Sequence, residues 1–504
     1  MLVAIAPLPN QKENVMKHFY LLLGLFIGVL FLSPTESNAQ WQPDIRLTND
    51  PAYSWTSYNN AWCVAANGSV VHVVWFDLRD GGNSEIYYKR STDGGISWGA
   101  DTRLTNNTDM SRFPSVAVSG SFVHVVWEDS RDANLEVYYK NSTDAGESWE
   151  ADTRLTNNSA VSAEASVTVS GSVVHVVWAD DRDGNYEIYY KRSTDGGINW
   201  GADTRLTNNT AYSRLPSVTV SGLLVHVVWA DRRDRDGYDE IYYNRSTDNG
   251  ISWGTDTRLT NNTYIFSSWL PSISVSGSVV HVVCTDNRDG NNEIYYKRSI
   301  DGGINWGADT RLTNNTGSSE SPSVIVSGSV VQVVWADSRD LNYEIYYKRS
   351  TDGGVNWGAD TRLTDAPDIS VNSSVTVSGS VVHVVWKDLR DGNWEIYYKR
   401  DPTGNVTGIK NIDLEIPKEF SLSQNYPNPF NPSTKIKFSL PSSQFVTLKV
   451  YDVLGREIAG LINELREVGN YEVQFNPDNL VSGIYYYRFQ AGTYSETKKL
   501  VLLR

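Results

Sequence analysis

From Arg46 to Lys399 polar and apolar positions follow one pattern, repeated along the chain. A short Arg-Leu-Thr segment begins at Arg46, Arg103, Arg154, Arg205, Arg258, Arg311 and Arg362. An almost continuous Val-Val-Trp-type run follows each, centred on His72, His124, His175, His226, His281, Gln332 and His383. A Glu-Ile/Val-Tyr-Tyr run comes next, from Glu85, Glu136, Glu187, Glu240, Glu293, Glu344 and Glu395. β-Branched and aromatic residues fill these runs, and Gly, Asn, Asp and Ser punctuate them, which predicts strands joined by tight turns. In the second unit the predicted strands are Ser115–Val118, Val123–Trp127, Glu136–Lys140 and Thr153–Thr156.

Four strands in a repeat of about 50 residues is the size of one propeller blade, and longer than a solenoid coil. Six of the Arg-Leu-Thr strands follow a turn motif, Ser-x-Asp-x-Gly-x-x-Trp, at Ser91–Trp98, Ser142–Trp149, Ser193–Trp200, Ser246–Trp253, Ser299–Trp306 and Ser350–Trp357. The seventh, Asp44–Thr48, stands alone near the N-terminus, and the last unit has no fourth strand after Glu395–Lys399. Pairing these two removes an open sheet edge. The expected fold is therefore all-β: a seven-bladed β-propeller over 40–401, closed by the N-terminal strand, plus a small C-terminal β-sandwich.

The flanks read differently. Lys17 and His18 precede an apolar run from Phe19 to Leu32, and Ser37-Asn38-Ala39 is a small-x-small cleavage site. The run is short of the roughly 20 residues that a membrane span takes. Residues 1–39 are expected to be a signal peptide, with Met16 where such a peptide normally starts, and the mature chain to have no transmembrane span. Residues 402–419 read as a linker. From Phe420 a Pro-rich segment, Asn425–Thr434, leads into predicted strands Lys435–Leu440, Phe445–Tyr451, Tyr471–Phe475, Gly483–Gln490 and Lys498–Leu503. Val453–Arg456 reads as a hairpin turn. Alternation of this kind suits a β-sandwich.

The formal net charge of −15 repels phosphate backbones and argues against nucleic acid. Cys63 and Cys284 occupy different positions in units four repeats apart, so each is expected to be an isolated packing residue.

The turn motif resembles the Asp-box (BNR) repeat of sialidases and other propellers. Asp93, Asp144, Asp195, Asp248, Asp301 and Asp352 are its carboxylates, suited to accept backbone N–H groups of their own turns. The motif's Gly permits positive φ and its Trp covers the hairpin. One acid used identically in six units is structural. The resemblance implies that the boxes join third to fourth strands, on the face opposite the usual binding site.

The loop after the second strand repeats as Asp-x-Arg-Asp, from Asp77/Arg79/Asp80 to Asp388/Arg390/Asp391. Arg–carboxylate pairing that ties the loop down, or staples neighbouring blades, explains its recurrence. Asp-rich loops also suit Ca²⁺, but no complete calcium-loop pattern is present. The one histidine per unit is too dispersed to share a metal, and Gln332 in the seventh place is a poor ligand. Neither a cofactor nor a metal site is expected.

In a repeat protein the positions that differ between units are the better site candidates. The loops after Arg-Leu-Thr vary most and carry Tyr53, Trp55, Tyr58, Arg112, Phe113, Glu164, Tyr212, Arg214, Tyr264, Phe266, Trp269, Glu320, Asp365 and Asp368, and the fourth unit also has an insertion, Arg235–Asp239, after its second strand. Tyr53, Trp55, Arg112, Glu164, Arg214, Trp269 and Glu320 are the ligand-binding candidates, since aromatics mixed with Arg and carboxylates suit a glycan or peptide.

The sialidase resemblance implies three arginines on a substrate carboxylate, a Tyr–Glu nucleophile pair and a separate Asp acid/base. Arg112 and Arg214 supply two arginines, and Glu164 is the catalytic carboxylate candidate. No third arginine, Tyr–Glu pair or Phe-Arg-Ile-Pro-like segment stands out. A glucan hydrolase of Asp-box type would need facing carboxylates, for which Glu164 with Asp365 or Asp368 is the candidate set.

Tyr426–Phe430, Val450–Arg456, Ser482–Tyr485 and Lys498–Leu502 resemble the type A C-terminal sorting domain of the type IX secretion system. That implies export through secretion machinery acting on 420–504, to the outside or outer surface of a Gram-negative bacterium. The sequence thus predicts an exported, monomeric propeller that binds an extracellular glycan or protein. The alternatives are a sialidase-like glycoside hydrolase and a structural surface adhesin.

Overall fold

The computed structural model describes residues 41–57, 63–234, 237–262, 265–404, 419–431, 433–441, 444–466, 469–477 and 480–503. The expected signal peptide, Tyr58, Arg235, Asp236, Tyr264 and residues 405–418 of the expected linker lie outside them. The chain divides into two compact units, between Gly408 and Ile409.

The first unit is built of repeated antiparallel sheets. In the third repeat, strands Ser162–Ser170, Val173–Asp180, Glu187–Ser193 and Thr204–Arg205 lie side by side in chain order. The other repeats copy this order. In the first sheet the leading strand is in two pieces, Ser54–Trp55 and Val64–Asn67, both paired with Val70–Asp77. In the last sheet the outermost place is taken by Ile45–Arg46, which pairs antiparallel with Tyr397 and Tyr398.

The second strands are mostly apolar because both faces of each sheet are covered by neighbouring sheets. Trp75, Trp127, Trp178, Trp229, Trp335 and Trp386 are fully buried. Each indole donates to the Asp two residues on, as Trp178 Nε1 does to Asp180 at 2.9 Å. Cys284 replaces the tryptophan in the fifth repeat, and both Cys284 and Cys63 are buried free thiols.

One aromatic contact ties each sheet to the next. Tyr88, Tyr139, Tyr190, Tyr243 and Tyr296 meet Trp149, Trp200, Trp253, Trp306 and Trp357 of the following repeat edge to face, at 4.9 Å between centroids. Tyr347 meets Trp41, which precedes the N-terminal strand, at 5.0 Å. Tyr398 of the last sheet meets Trp98 of the first at 4.8 Å. Polar contacts follow the same path: Thr56 Oγ1 donates to the Asn372 carbonyl at 2.9 Å and Ser378 Oγ to the Gly68 carbonyl at 2.8 Å.

Two differences from the sequence reading matter. The first strands begin earlier than predicted, as Ser111–Ser119 shows in the second repeat. The added residues contain a bulge between Arg112 and Ser115, with Phe113 at φ 53°. The fourth strands are shorter than predicted, Thr153–Arg154 in that repeat, because Thr156 turns its hydroxyl onto Glu136 instead of extending the ladder.

In the second unit, Ser421–Leu422, Thr434–Leu440 and Gly469–Phe475 form one sheet. Glu457–Arg466, Gln444–Tyr451, Gly483–Ala491 and Tyr494–Leu502 form another. Ile436, Phe438, Leu448, Val450, Tyr487, Phe489 and Leu500 share one buried core. The sequence pattern does not predict the strand Glu457–Arg466: its polar residues and Gly460 interrupt the alternation, and its register slips against Leu448–Tyr451. No helix among the described residues is long and apolar enough to cross a membrane.

Candidate functional site

Register separates the two ends of every sheet. Ser162 pairs with Asp180 and Asp180 with Glu187 at one end, while Ser193 pairs with Val174 at the other. The turn motifs leave from the second end. At Asp93 the carboxylate accepts the Ile96 and Ser97 N–H groups at 3.0 and 2.9 Å, and the hydroxyls of Ser91 and Ser97 donate to it as well. These bonds, those from Ser97 above all, hold the Asp93 carboxyl well below the usual carboxylate range. Asp144, Asp248, Asp301, Asp195 and Asp352 sit in equivalent turns. Their donors are satisfied locally and leave little to offer a ligand.

The opposite end carries the Asp-x-Arg-Asp loops. Arg182 donates to Asp180 at 2.6 Å and to Asp203 at 2.7 Å, and its guanidinium lies 4.4 Å from the Tyr189 ring centroid. The other repeats copy this arrangement, including Arg390, whose second partner is Asp44 at 2.8 Å. The loops are tied mainly within their own sheets.

Where the repeat is broken at this end, a cleft of about 270 Å³ opens across the second, third and fourth repeats. Arg112, Glu128, Glu164, Tyr186, Tyr212, Arg214 and Arg232 line it, with Leu135, Val161 and Ala163. The bulge of the first strand turns Arg112 and Glu164 toward it. At Glu164, φ is 58°, a left-handed conformation sustained by the surrounding sheet.

Two carboxyls run through the cleft wall in relay. Glu128 is 1% exposed and accepts the Glu164 N–H at 2.7 Å. Glu164 keeps part of its surface open, with its carboxyl set deep, and accepts the Leu215 N–H at 2.6 Å. Burial pushes the Glu128 carboxyl up to about 7, against the pull of the Glu164 amide and Arg112. Burial also raises Glu164, against the Leu215 amide and Arg214.

Cationic groups face them. Arg112 Nε lies 3.3 Å from Glu128 Oε2. Arg214 and Arg232 share the buried Asp239 at 2.9 and 3.0 Å. Arg214 Nε is buried with no acceptor among the described residues. Tyr186 meets the exposed Tyr212 edge to face at 5.9 Å, and the Arg232 guanidinium is 5.8 Å from the Tyr212 ring centroid. Burial, then the charges of Asp181, Glu164 and Glu128, push the Tyr186 phenol up.

The structure therefore brings Arg112, Glu164 and Arg214 together and adds Glu128, Tyr186, Arg232 and Asp239. Phe113 is adjacent, its ring 5.1 Å from the Arg112 guanidinium. The remaining candidates do not line the cleft. Trp269 faces Thr285 in the fifth sheet, and Glu320 accepts from Asn292 in the neighbourhood of the sixth. Tyr53 stacks on Trp55 beside the last sheet. Asp365 is exposed and ion-paired to Arg362 at 2.8 Å, and Asp368 is exposed, so the carboxyl beside Glu164 is Glu128 and not either of these. Among the described residues no group of three or more His, Cys, Asp or Glu side chains is arranged to hold a metal ion.

Residues 424–503 match the family of secretion system C-terminal sorting domains. That segment is a sorting domain of this kind and marks the chain for secretion. No curated protein sequence matches the chain. Among solved structures, a Hadza microbial sialidase is similar at 14% identity, over 67% of this chain and 74% of its own, with a TM-score of 0.43. The Fusarium graminearum α-L-arabinofuranosidase is similar at 15% identity, over 57% and 91%, with a TM-score of 0.43. The polysaccharide lyase Uly1 is similar at 8% identity, over 72% and 99%, with a TM-score of 0.49.

Proposed function

We propose that the repeat region is a seven-bladed β-propeller closed by Ile45–Arg46. Its sorting domain would carry it through a type IX secretion system to the outer surface of a Gram-negative bacterium, where the Arg112–Glu164–Arg214 cleft binds an extracellular glycan. The unbroken succession of Tyr–Trp contacts from sheet to sheet, with Trp41 filling one place and Tyr398–Trp98 another, supports closure.

The observation that carries the binding reading is convergence. Side chains that break the repeat in three neighbouring sheets gather in one cleft, at the end away from the turn motifs. The volume suits about one sugar ring, and the lining mixes guanidinium and carboxyl hydrogen-bond partners with two phenol rings. Guanidinium forks and carboxylates recognise sugar hydroxyls and acidic groups, and rings cover their C–H faces.

A second reading, glycoside hydrolysis, is favoured by Glu128. A carboxyl titrating near 7 beside a second carboxyl is what an acid catalyst requires. Against a tyrosine nucleophile stands the upward displacement of Tyr186, because a phenol that resists ionisation attacks poorly.

The purified secreted chain, offered fluorogenic sialosides and a panel of polysaccharides with binding read in parallel, separates the readings. Saturable binding without turnover, lost in Arg214→Met, supports the binding module. Turnover abolished by Glu128→Gln or Glu164→Gln makes it a hydrolase. Silence in both assays points to a protein partner and overturns the glycan reading.

A further inference from the structure

A second repeat-breaking cluster lies at the same end, where the last sheet meets the first. Lys387 occupies the position before the second-strand Asp, which Glu128 holds in the cleft. Its ammonium is 4.9 Å from the Trp55 ring centroid and 4.6 Å from that of Trp394. Other lysines of the repeats are paired: Lys89, Lys140, Lys191, Lys297, Lys348 and Lys399 each reach an aspartate. Lys387 reaches none among the described residues. Burial alone pushes it down, to about 8.

A chain of ring contacts links this cluster to the cleft, passing below the surface at Phe76, which is buried. Tyr53, 45% exposed, stacks on Trp55 at 6.3 Å. Trp55 meets Phe76 edge-on at 5.4 Å, Phe76 meets Phe113 at 5.1 Å, and Phe113 lies 5.1 Å from the Arg112 guanidinium. The strip thus runs from Lys387 to Arg112 across three consecutive sheets, and the cleft continues it through two more.

Building on the glycan reading of the cleft, we propose that Lys387, Trp55 and Trp394 form a second subsite, which takes an anionic sugar unit of the same polysaccharide chain. Two indoles flanking an ammonium provide what an acidic sugar presents: flat C–H faces for the rings and a carboxylate or sulfate for the cation. A half-buried lysine with no counterion among the described residues gains from an anion brought to it, because part of the cost of its desolvation is already met in the free protein. Joining two such subsites along one strip multiplies affinity for long chains over short ones. The occupant is therefore an acidic polysaccharide.

The test compares the secreted chain with Lys387→Met, which keeps the stem between the rings, and Lys387→Arg, which keeps the charge. Probes are oligogalacturonates, sulfated galactan oligosaccharides and neutral galactan oligosaccharides, each as disaccharides and as long oligomers. Calorimetry should show long acidic oligomers bound, with about a tenfold loss in Lys387→Met and near-full affinity in Lys387→Arg, while disaccharide binding in the cleft stays unchanged. Equal affinity of Lys387→Met and the unaltered chain for long acidic oligomers overturns the subsite. So does a preference for neutral oligomers, or no binding of acidic ones. If instead Arg214→Met leaves all binding intact while Lys387→Met weakens it, the cleft reading fails and the subsite stands.

Discussion

Trp98 stands edge-on against Tyr398, with ring centroids 4.8 Å apart, though the two come from the first and last sheets of the repeat region. The contact has the geometry of Tyr190 with Trp253, between adjacent repeats. Trp98→Ala and Trp253→Ala should therefore cost the same, about 2–3 kcal/mol for a partly buried indole. Urea unfolding of the two variants checks this. A clearly smaller loss for Trp98→Ala would mean that first and last sheets are apart in solution.

Gly197 has φ +91°, and a Cβ there would lie 1.8 Å from the Tyr139 hydroxyl of the preceding sheet. Gly197→Ala combines an unfavourable backbone conformation with that collision, and should cost about 3 kcal/mol or more. Gly171 also has positive φ, but nothing lies within 4 Å of its Cβ position. Gly171→Ala should cost about 1 kcal/mol, from backbone strain alone. Thermal melts that rank the two equally would remove the intersheet contact from the account.

The histidine column fixes the acid limit. His175 is buried with Nδ1 2.7 Å from the Tyr190 hydroxyl, and burial pushes it down to about 4. His72, His124, His226 and His281 behave alike. A histidine lowered in the folded state contributes stability that is complete above its unfolded value near 6.5 and is lost as pH falls toward 4. Each is worth on the order of 3 kcal/mol at most. Melting temperature should drop steeply over that window, and less steeply in His175→Gln, which copies the natural Gln332–Tyr347 pair.

Glu128 works in the opposite sense. A carboxyl raised to about 7 contributes stability that is complete below its unfolded value and lost as pH rises through 7. Glu128→Gln should flatten the alkaline side of the profile between pH 5 and 8, by up to about 3 kcal/mol. Unfolding by urea at several pH values reads it directly. An unchanged slope would place the ionised form in the resting protein.

Arg232 is the readiest test of the cleft itself. The equivalent place is Ser130 in the second repeat and Ser338 in the sixth. Arg232→Ser is therefore compatible with the loop and should leave the melting temperature nearly unchanged, while weakening cleft binding by about tenfold. Retained affinity in a glycan titration would exclude Arg232 from recognition.

The sheets were legible because the same strand pattern is written repeatedly, so each copy corrects the reading of the next. Arg112, Glu164 and Arg214 were legible for the converse reason: they interrupt the copies. Glu128 was hidden because it sits between Trp127 and Asp129, inside the most regular strand, where the shared residues dominate the pattern. Down that column stand Phe76, Glu128, Ala179, Ala230, Thr285, Ala336 and Lys387. Two charged members among apolar and small ones were the available signal. Arg232 was masked in the same way by Arg233, the arginine that every repeat has. The pairing of Glu128 with Glu164 was beyond sequence, since it depends on a backbone amide turned by a bulge.

Ile45–Arg46 completes the sheet of Glu395–Asp401, and the Gln42 N–H donates to the Arg400 carbonyl at 2.9 Å. The beginning and end of the repeat region are thus neighbours within one hydrogen-bonded ladder, so the order in which the sheets are strung is a historical choice and not a mechanical one. Joined there by a short linker and reopened at an exposed hairpin such as Gly171–Ser172, the chain should reach the same native state as a circular permutant. Left unjoined, the ladder is also where two molecules at high concentration can exchange their first strands and become an intertwined pair.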